Sequence, residues 1–99
     1  MAEPIFKLVT IICEPVLSTV LTTTIRTLGA SGFTMTDVLG EGSGEKNSGE
    51  IPDVKIKIEI IADALLSKKI MDEVAQRYFK NYSLIMYSMD IQIIRHEKF

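Results

Sequence analysis

The residues of this 99-residue chain with the clearest chemical potential lie in one short stretch, Gly40, Glu41, Gly42 and Ser43. Two glycines separated by one residue let backbone N–H groups approach an anion closely and adopt positive φ angles, so the turn is a candidate phosphate cradle. A plain flexible turn has the same composition. Lys46 adds one point charge, which the neighbouring Glu45 opposes, and an ammonium lacks the paired donors of a guanidinium. Upstream, Thr34 and Asp37 suit either a cleft lining or a solvent-facing strand. At the far end Arg95, His96 and Lys98 form a compact cationic group, able to meet a bound phosphate or to lie solvated as a frayed tail.

Catalysis is not indicated. Glu41, Glu45, Glu50 and Asp53 fall in or beside a polar segment where nothing apolar would raise a carboxyl pKa for acid chemistry. No nucleophile elbow or Walker loop is present, and one histidine with one cysteine cannot assemble a transition-metal site. The expectation is a non-enzyme without a cofactor or metal. Cys13 sits in an apolar run and reads as a core residue of a protein kept in a reducing compartment. The 11 basic and 13 acidic residues are interspersed, leaving no basic stripe for a nucleic acid. The first residues lack the pattern of a signal peptide, and no apolar run is long enough to span a bilayer. A cytoplasmic location is expected, with the plasma membrane met at its inner face only through a partner.

These residues need elements to hold them. FKLVTIIC, residues 6–13, is dominated by β-branched and apolar residues and predicts a strand covered on both faces. Pro15 opens a helix in which Val16, Leu17, Val20, Leu21, Ile25 and Leu28 recur at helical spacing, and Gly29 is placed to end it. Thr22, Thr23 and Thr24 are poor helix formers, so packing must hold that helix. Residues 32–39 alternate into a second strand with one wetter face. Residues 40–52 then hold four of the six glycines and almost nothing that can enter a core, predicting a long exposed loop. VKIKIEII, residues 54–61, alternates strictly and is the clearest strand, with Lys55, Lys57 and Glu59 on its polar face. Asp63 is a good N-cap for a helix whose apolar face runs from Leu65 to Phe79 and which reaches residue 81. Residues 84–95 predict the last strand, followed by a short polar tail. Tyr78, Phe79, Tyr82 and Tyr87 gather near the end of the second helix, as packing residues or an aromatic cage.

The order β-α-β, loop, β-α-β predicts a single ferredoxin-like α+β domain over residues 1–99, a four-stranded antiparallel sheet with both helices on one face. The other face is the difficulty. Its first and last strands are apolar on both sides, and 46% apolar against 24% charged residues is rich for so short a chain, so another copy is expected to cover it.

The stretch GASGFTMTDVLGEGSGEK resembles the PII signalling superfamily where its second strand runs into the T-loop: Gly32, Phe33, Thr34, Met35, Thr36, Asp37, Val38, Gly40 and Gly42 follow the family's order. VKIKIEI resembles the third strand. KLVTII, GASGFT before GEGS, RYFKNYS and the finish RHEKF look like the PII-like SbtB proteins, regulators associated with a sodium-dependent bicarbonate transporter. The resemblance implies a homotrimer with an adenine nucleotide, such as cyclic AMP, AMP, ADP or ATP, held in clefts between subunits. It implies a T-loop over residues 40–52 that signals to a membrane transporter of the bicarbonate type. The nucleotide-binding residues it implies are Thr34, Gly40, Glu41, Gly42, Ser43, Lys46, Arg95 and His96. Because Gly44, Glu45, Lys46 and Asn47 stand where SbtB proteins usually carry two arginines, the alternative is a trimeric interaction module that ignores nucleotide.

Overall fold

A computed structural model describes residues 5–41 and 52–99. Four strands form one antiparallel sheet: β1 (Phe6–Cys13), β2 (Thr34–Gly40), β3 (Asp53–Asp63) and β4 (Ile85–Ile91), in the spatial order β2-β3-β1-β4. Helices α1 (Ser18–Leu28) and α2 (Ala64–Tyr78) connect β1 to β2 and β3 to β4. This is the ferredoxin-like architecture that the element order predicts. Alternate residues of the two central strands, Val9, Ile11 and Cys13 of β1 and Ile56, Ile58 and Ile60 of β3, enter one core with Leu21, Ile25, Ile70 and Val74 of the helices. Their near-complete removal from water, at about 25 cal/mol per Å² of apolar surface, is the main force holding helices to sheet.

Local chemistry sets the ends of the helices. Pro15 occupies a short 3₁₀ turn, Pro15–Leu17, that leads into α1, and Gly29 closes α1 at φ 116°, where a Cβ would be strained. The hydroxyls of Thr22, Thr23, Thr24 and Thr27 donate to carbonyls one turn back, so these poor helix formers satisfy themselves inside the helix. The Thr24 hydroxyl also lies 3.1 Å from the Tyr78 hydroxyl, joining the two helices in the interior. The Asp63 carboxylate accepts the Leu66 N–H at 2.8 Å and caps α2.

Several boundaries differ from the sequence reading. The second helix stops at Tyr78 rather than 81, where a turn sends the Tyr82 N–H back to the Tyr78 carbonyl. The last strand ends at Ile91 rather than 95. Among the described residues its pairing with β1 ends at Phe6 opposite Ile91, and the tail then leaves the sheet and forms a 3₁₀ turn at His96–Lys98. Gly40, assigned to the loop, is the last residue of β2 and stands opposite Asp53. Val16, Val20, Leu65 and Phe79 fit helical periodicity yet stay exposed, because each helix buries a narrower stripe than its apolar residues span.

Among the described residues no helix covers the sheet's second face. Across it lie Thr34 and Thr36 of β2, Lys55, Lys57, Glu59 and Ile61 of β3, Leu8, Thr10 and Ile12 of β1, and Ile85, Tyr87 and Met89 of β4. The β4 residues are exposed although apolar.

Candidate functional site

The open face holds a hollow of about 330 Å³ at the end where β2 begins and β3 finishes. Its walls come from three elements: residues 31–34 leading into β2, Glu59 and Ile61 of β3, and Lys98 and Phe99 of the tail. Antiparallel pairing sets Thr34 directly opposite Glu59, so a hydroxyl and a carboxylate stand side by side on this face. Phe33 is backed by the Arg26 guanidinium, 4.8 Å from the ring centroid, which links the end of α1 to the wall. Phe99 meets Phe6 edge-on, ring centroids 6.4 Å apart, so the tail doubles back over β1 to reach the hollow. The lining is mixed, with Phe33, Ile61 and Phe99 apolar and Ser31, Thr34, Glu59 and Lys98 polar or charged, so the hollow offers both contact surface and hydrogen-bonding groups to a small ligand.

The opposite end of the same face is the root of the 40–52 segment. There Lys55 is buried beside Gly40, its side chain 8% exposed, and its Nζ donates to Glu14 Oε1 at 2.8 Å. Lys55 lies on the polar face that the alternation of VKIKIEII predicts, but it is buried rather than solvent-exposed, because the turn after β1 brings Glu14 alongside β3. Cys13, on the core face, has its thiol pushed up to about 11 from an ordinary 9.0 by burial, with Glu14 adding to the rise and Lys55 opposing it. Lys55 and Glu59 share a strand face four residues apart, which separates the hollow from the loop root by about 13 Å. Among the described residues no group of three His, Cys, Asp or Glu side chains could hold a metal ion.

The sequence profile of the nitrogen regulatory protein P-II family matches residues 6–98, all of the strands and helices described above. The chain belongs to the P-II family. It is a PII-like signalling protein by this match and by its structural relatives. A PII-like signalling protein from Thermus thermophilus is 32% identical, with a TM-score of 0.82 over 100% of this chain and 99% of that one. CPII from Thiomonas intermedia K12, bound to ADP, AMP and acetate, is 26% identical, with a TM-score of 0.82 over 100% of this chain and 98% of its own. The same protein bound to ADP and bicarbonate matches at 28% identity and a TM-score of 0.80, over 97% of this chain and 94% of its own. These likenesses bear out the PII family and its fold. They do not single out the SbtB group within it.

The implied site residues scatter relative to the hollow. Thr34 lines it. Gly40 and Glu41 sit at the loop root, while Gly42, Ser43 and Lys46 fall outside the described residues. Arg95 is exposed, its Nε 3.9 Å from Glu97 Oε1, and His96 belongs to the 3₁₀ turn. Of the cationic group it is Lys98, not Arg95, that lines the hollow. Sequence reasoning missed Phe33, Glu59, Ile61 and Phe99. Glu59 carried a usable signal as the one acid among the polar-face residues of VKIKIEII. Which residue it faced required the β2–β3 register.

Proposed function

We propose that this chain is an adenine-nucleotide sensor that assembles as a homotrimer through its open sheet face and signals through a T-loop at residues 40–52. Within the PII family we place it with the SbtB-type regulators of a membrane transporter for bicarbonate. The observation that carries the reading is the hollow beside Glu59 on the same strand face as the loop root. A nucleoside seated between Ile61, Phe33 and Phe99 brings its ribose hydroxyls to the Glu59 carboxylate and the Thr34 hydroxyl. Its phosphates then point along β3 toward Lys55, four residues and about 13 Å away and beside Gly40 at the loop root. The N–H groups of Gly42 and Ser43 with Lys46 are their candidate partners, together with Arg95 and His96 supplied by a neighbouring copy.

The open face supports the trimer. Leaving Ile85, Tyr87 and Met89 exposed in a row forfeits burial that sister copies would restore. The binding of ADP and AMP, with bicarbonate, by CPII supports the ligand class and the link to inorganic carbon. Signalling is a population shift: a nucleotide whose phosphates touch the loop base favours one loop conformation by its differential contacts, and the transporter reads that conformation.

Titration calorimetry with AMP, ADP, ATP and cyclic AMP tests the reading, with saturable heat expected for at least one of them. Absence of heat at millimolar nucleotide ends it. Transporter-bearing membranes that retain the protein equally with and without nucleotide would instead establish the nucleotide-independent module.

A further inference from the structure

Arg26 is the one charged residue of α1, set in the last turn of a helix otherwise made of apolar and hydroxyl-bearing side chains. A cation suits that end of a helix, where carbonyl oxygens lack partners. The side chain does more than face those carbonyls. Its guanidinium lies over the Phe33 ring, 4.8 Å from the centroid, and among the described residues no carboxylate pairs with it. Phe33 ends the turn from α1 to β2, where Gly29 sits at φ 116° and an added Cβ on Gly32 would meet nothing within 4 Å. The turn's own backbone therefore does little to fix the ring, which is held by its packing on the core and by the guanidinium. Phe33 lines the hollow, whereas Arg26 is exposed and does not. Any short-range effect of Arg26 on a ligand passes through that ring.

We propose that Arg26 is a positioning residue for the hollow: it clamps Phe33 and makes the part of the ring that a ligand meets more electropositive. The inference rests on the nucleotide reading above and deepens it by naming what suits this wall to an electron-rich base. Two physical effects act in the same direction. A cation over one face of an aromatic ring draws π density toward itself, so the edge hydrogens and the far face both become more positive. Adenine, with its ring-nitrogen lone pairs and π electrons, gains from either. A clamped ring also has less freedom left to lose when a ligand packs on it, which lowers the ordering cost of binding. The planar guanidinium suits both effects because it stacks flat on the ring, while an ammonium would keep the charge and lose the flat contact.

Titration calorimetry with AMP on wild type, Arg26→Met, Phe33→Leu and the double variant tests this as a cycle. Methionine keeps the helix propensity of arginine and removes its charge. Arg26→Met should weaken AMP binding about two- to fivefold, the scale of an exposed cation–π contact. The same replacement in the Phe33→Leu background should leave affinity unchanged, since no ring remains for the cation to act on. Arg26→Lys should fall between wild type and Arg26→Met. A role at the helix end alone would lower the melting temperature of Arg26→Met without altering its affinity. Wild-type protein that binds no AMP overturns both this proposal and the nucleotide reading. Wild type that binds AMP while Arg26→Met binds it as tightly, or a loss that persists undiminished without the Phe33 ring, overturns the clamp and leaves the nucleotide reading standing. Should Phe33→Leu fail to fold or to bind, Arg26→Lys decides: an affinity no better than that of Arg26→Met overturns the clamp.

Discussion

Tyr87→Asp puts a charge at the middle of the uncovered sheet face, opposite Thr10 of the central strand, and asks whether sister copies seal that face. Tyr87 keeps 43% of its surface exposed in the isolated chain. With about 200 Å² on a tyrosine side chain, some 90 Å² remains for a partner to cover, worth about 2 kcal/mol at 25 cal/mol per Å². The aspartate loses that gain and adds the cost of stripping water from an unpaired carboxylate, several kcal/mol more. In a cyclic trimer the penalty enters once per copy, so assembly weakens by on the order of 10 kcal/mol, roughly seven decades in the association constant. Light scattering coupled to size exclusion, over a dilution series, should show wild type at three times the chain mass and Tyr87→Asp at one. Leu65→Asp is the control. Leu65 is 78% exposed on the outer side of α2, away from the sheet, and its replacement should leave the mass unchanged. A wild type that stays monomeric at high concentration, or a Tyr87→Asp protein that remains trimeric, refutes the reasoning.

Three further outcomes follow from the described geometry. Glu14→Gln removes the carboxylate from a buried ammonium and should cost about 1–2 kcal/mol in urea unfolding at fixed protein concentration; the figure is discounted from the full buried-pair value because Glu14 is 42% exposed. Lys55→Met, which removes the buried charge itself, should cost less than Glu14→Gln, and the reverse order would show that the pair contributes net stability. The Cys13 thiol should resist a disulfide reagent at neutral pH. Because its folded pKa of about 11 lies above the ordinary 9.0, its contribution to stability is full below pH 9 and is lost as pH rises toward 11, an alkaline loss that Cys13→Ala should lack. Asp63→Ala strips the cap from α2 and should lower unfolding stability by about 1 kcal/mol, while Asp63→Asn should recover most of it.

The strand–helix order was readable because each element's period is written in its own residues. VKIKIEII alternates, Asp63 caps, and Gly29 ends a helix at the positive φ it alone adopts cheaply. Element ends were less legible, since β4 stops where its pairing with β1 ends at Phe6, a residue 85 positions away in the chain. The exposed Val16 of the 3₁₀ turn and Val20 of α1 show the same limit, because periodicity gives an apolar stripe but not how wide a stripe the sheet can cover.

By itself the sequence determined the architecture, the glycine-rich segment between the second and third strands, and an excess of apolar residues over what one side of the sheet can bury, all properties of local pattern and composition. Only the tertiary structure decided which residues share the hollow. Thr34 meets Glu59 through strand register, Lys55 meets Glu14 through the turn after β1, and Phe99 meets Phe6 because the tail folds back across the sheet. Each of these pairs joins residues at least 25 positions apart, and no local period encodes contacts that arise only when separate elements dock.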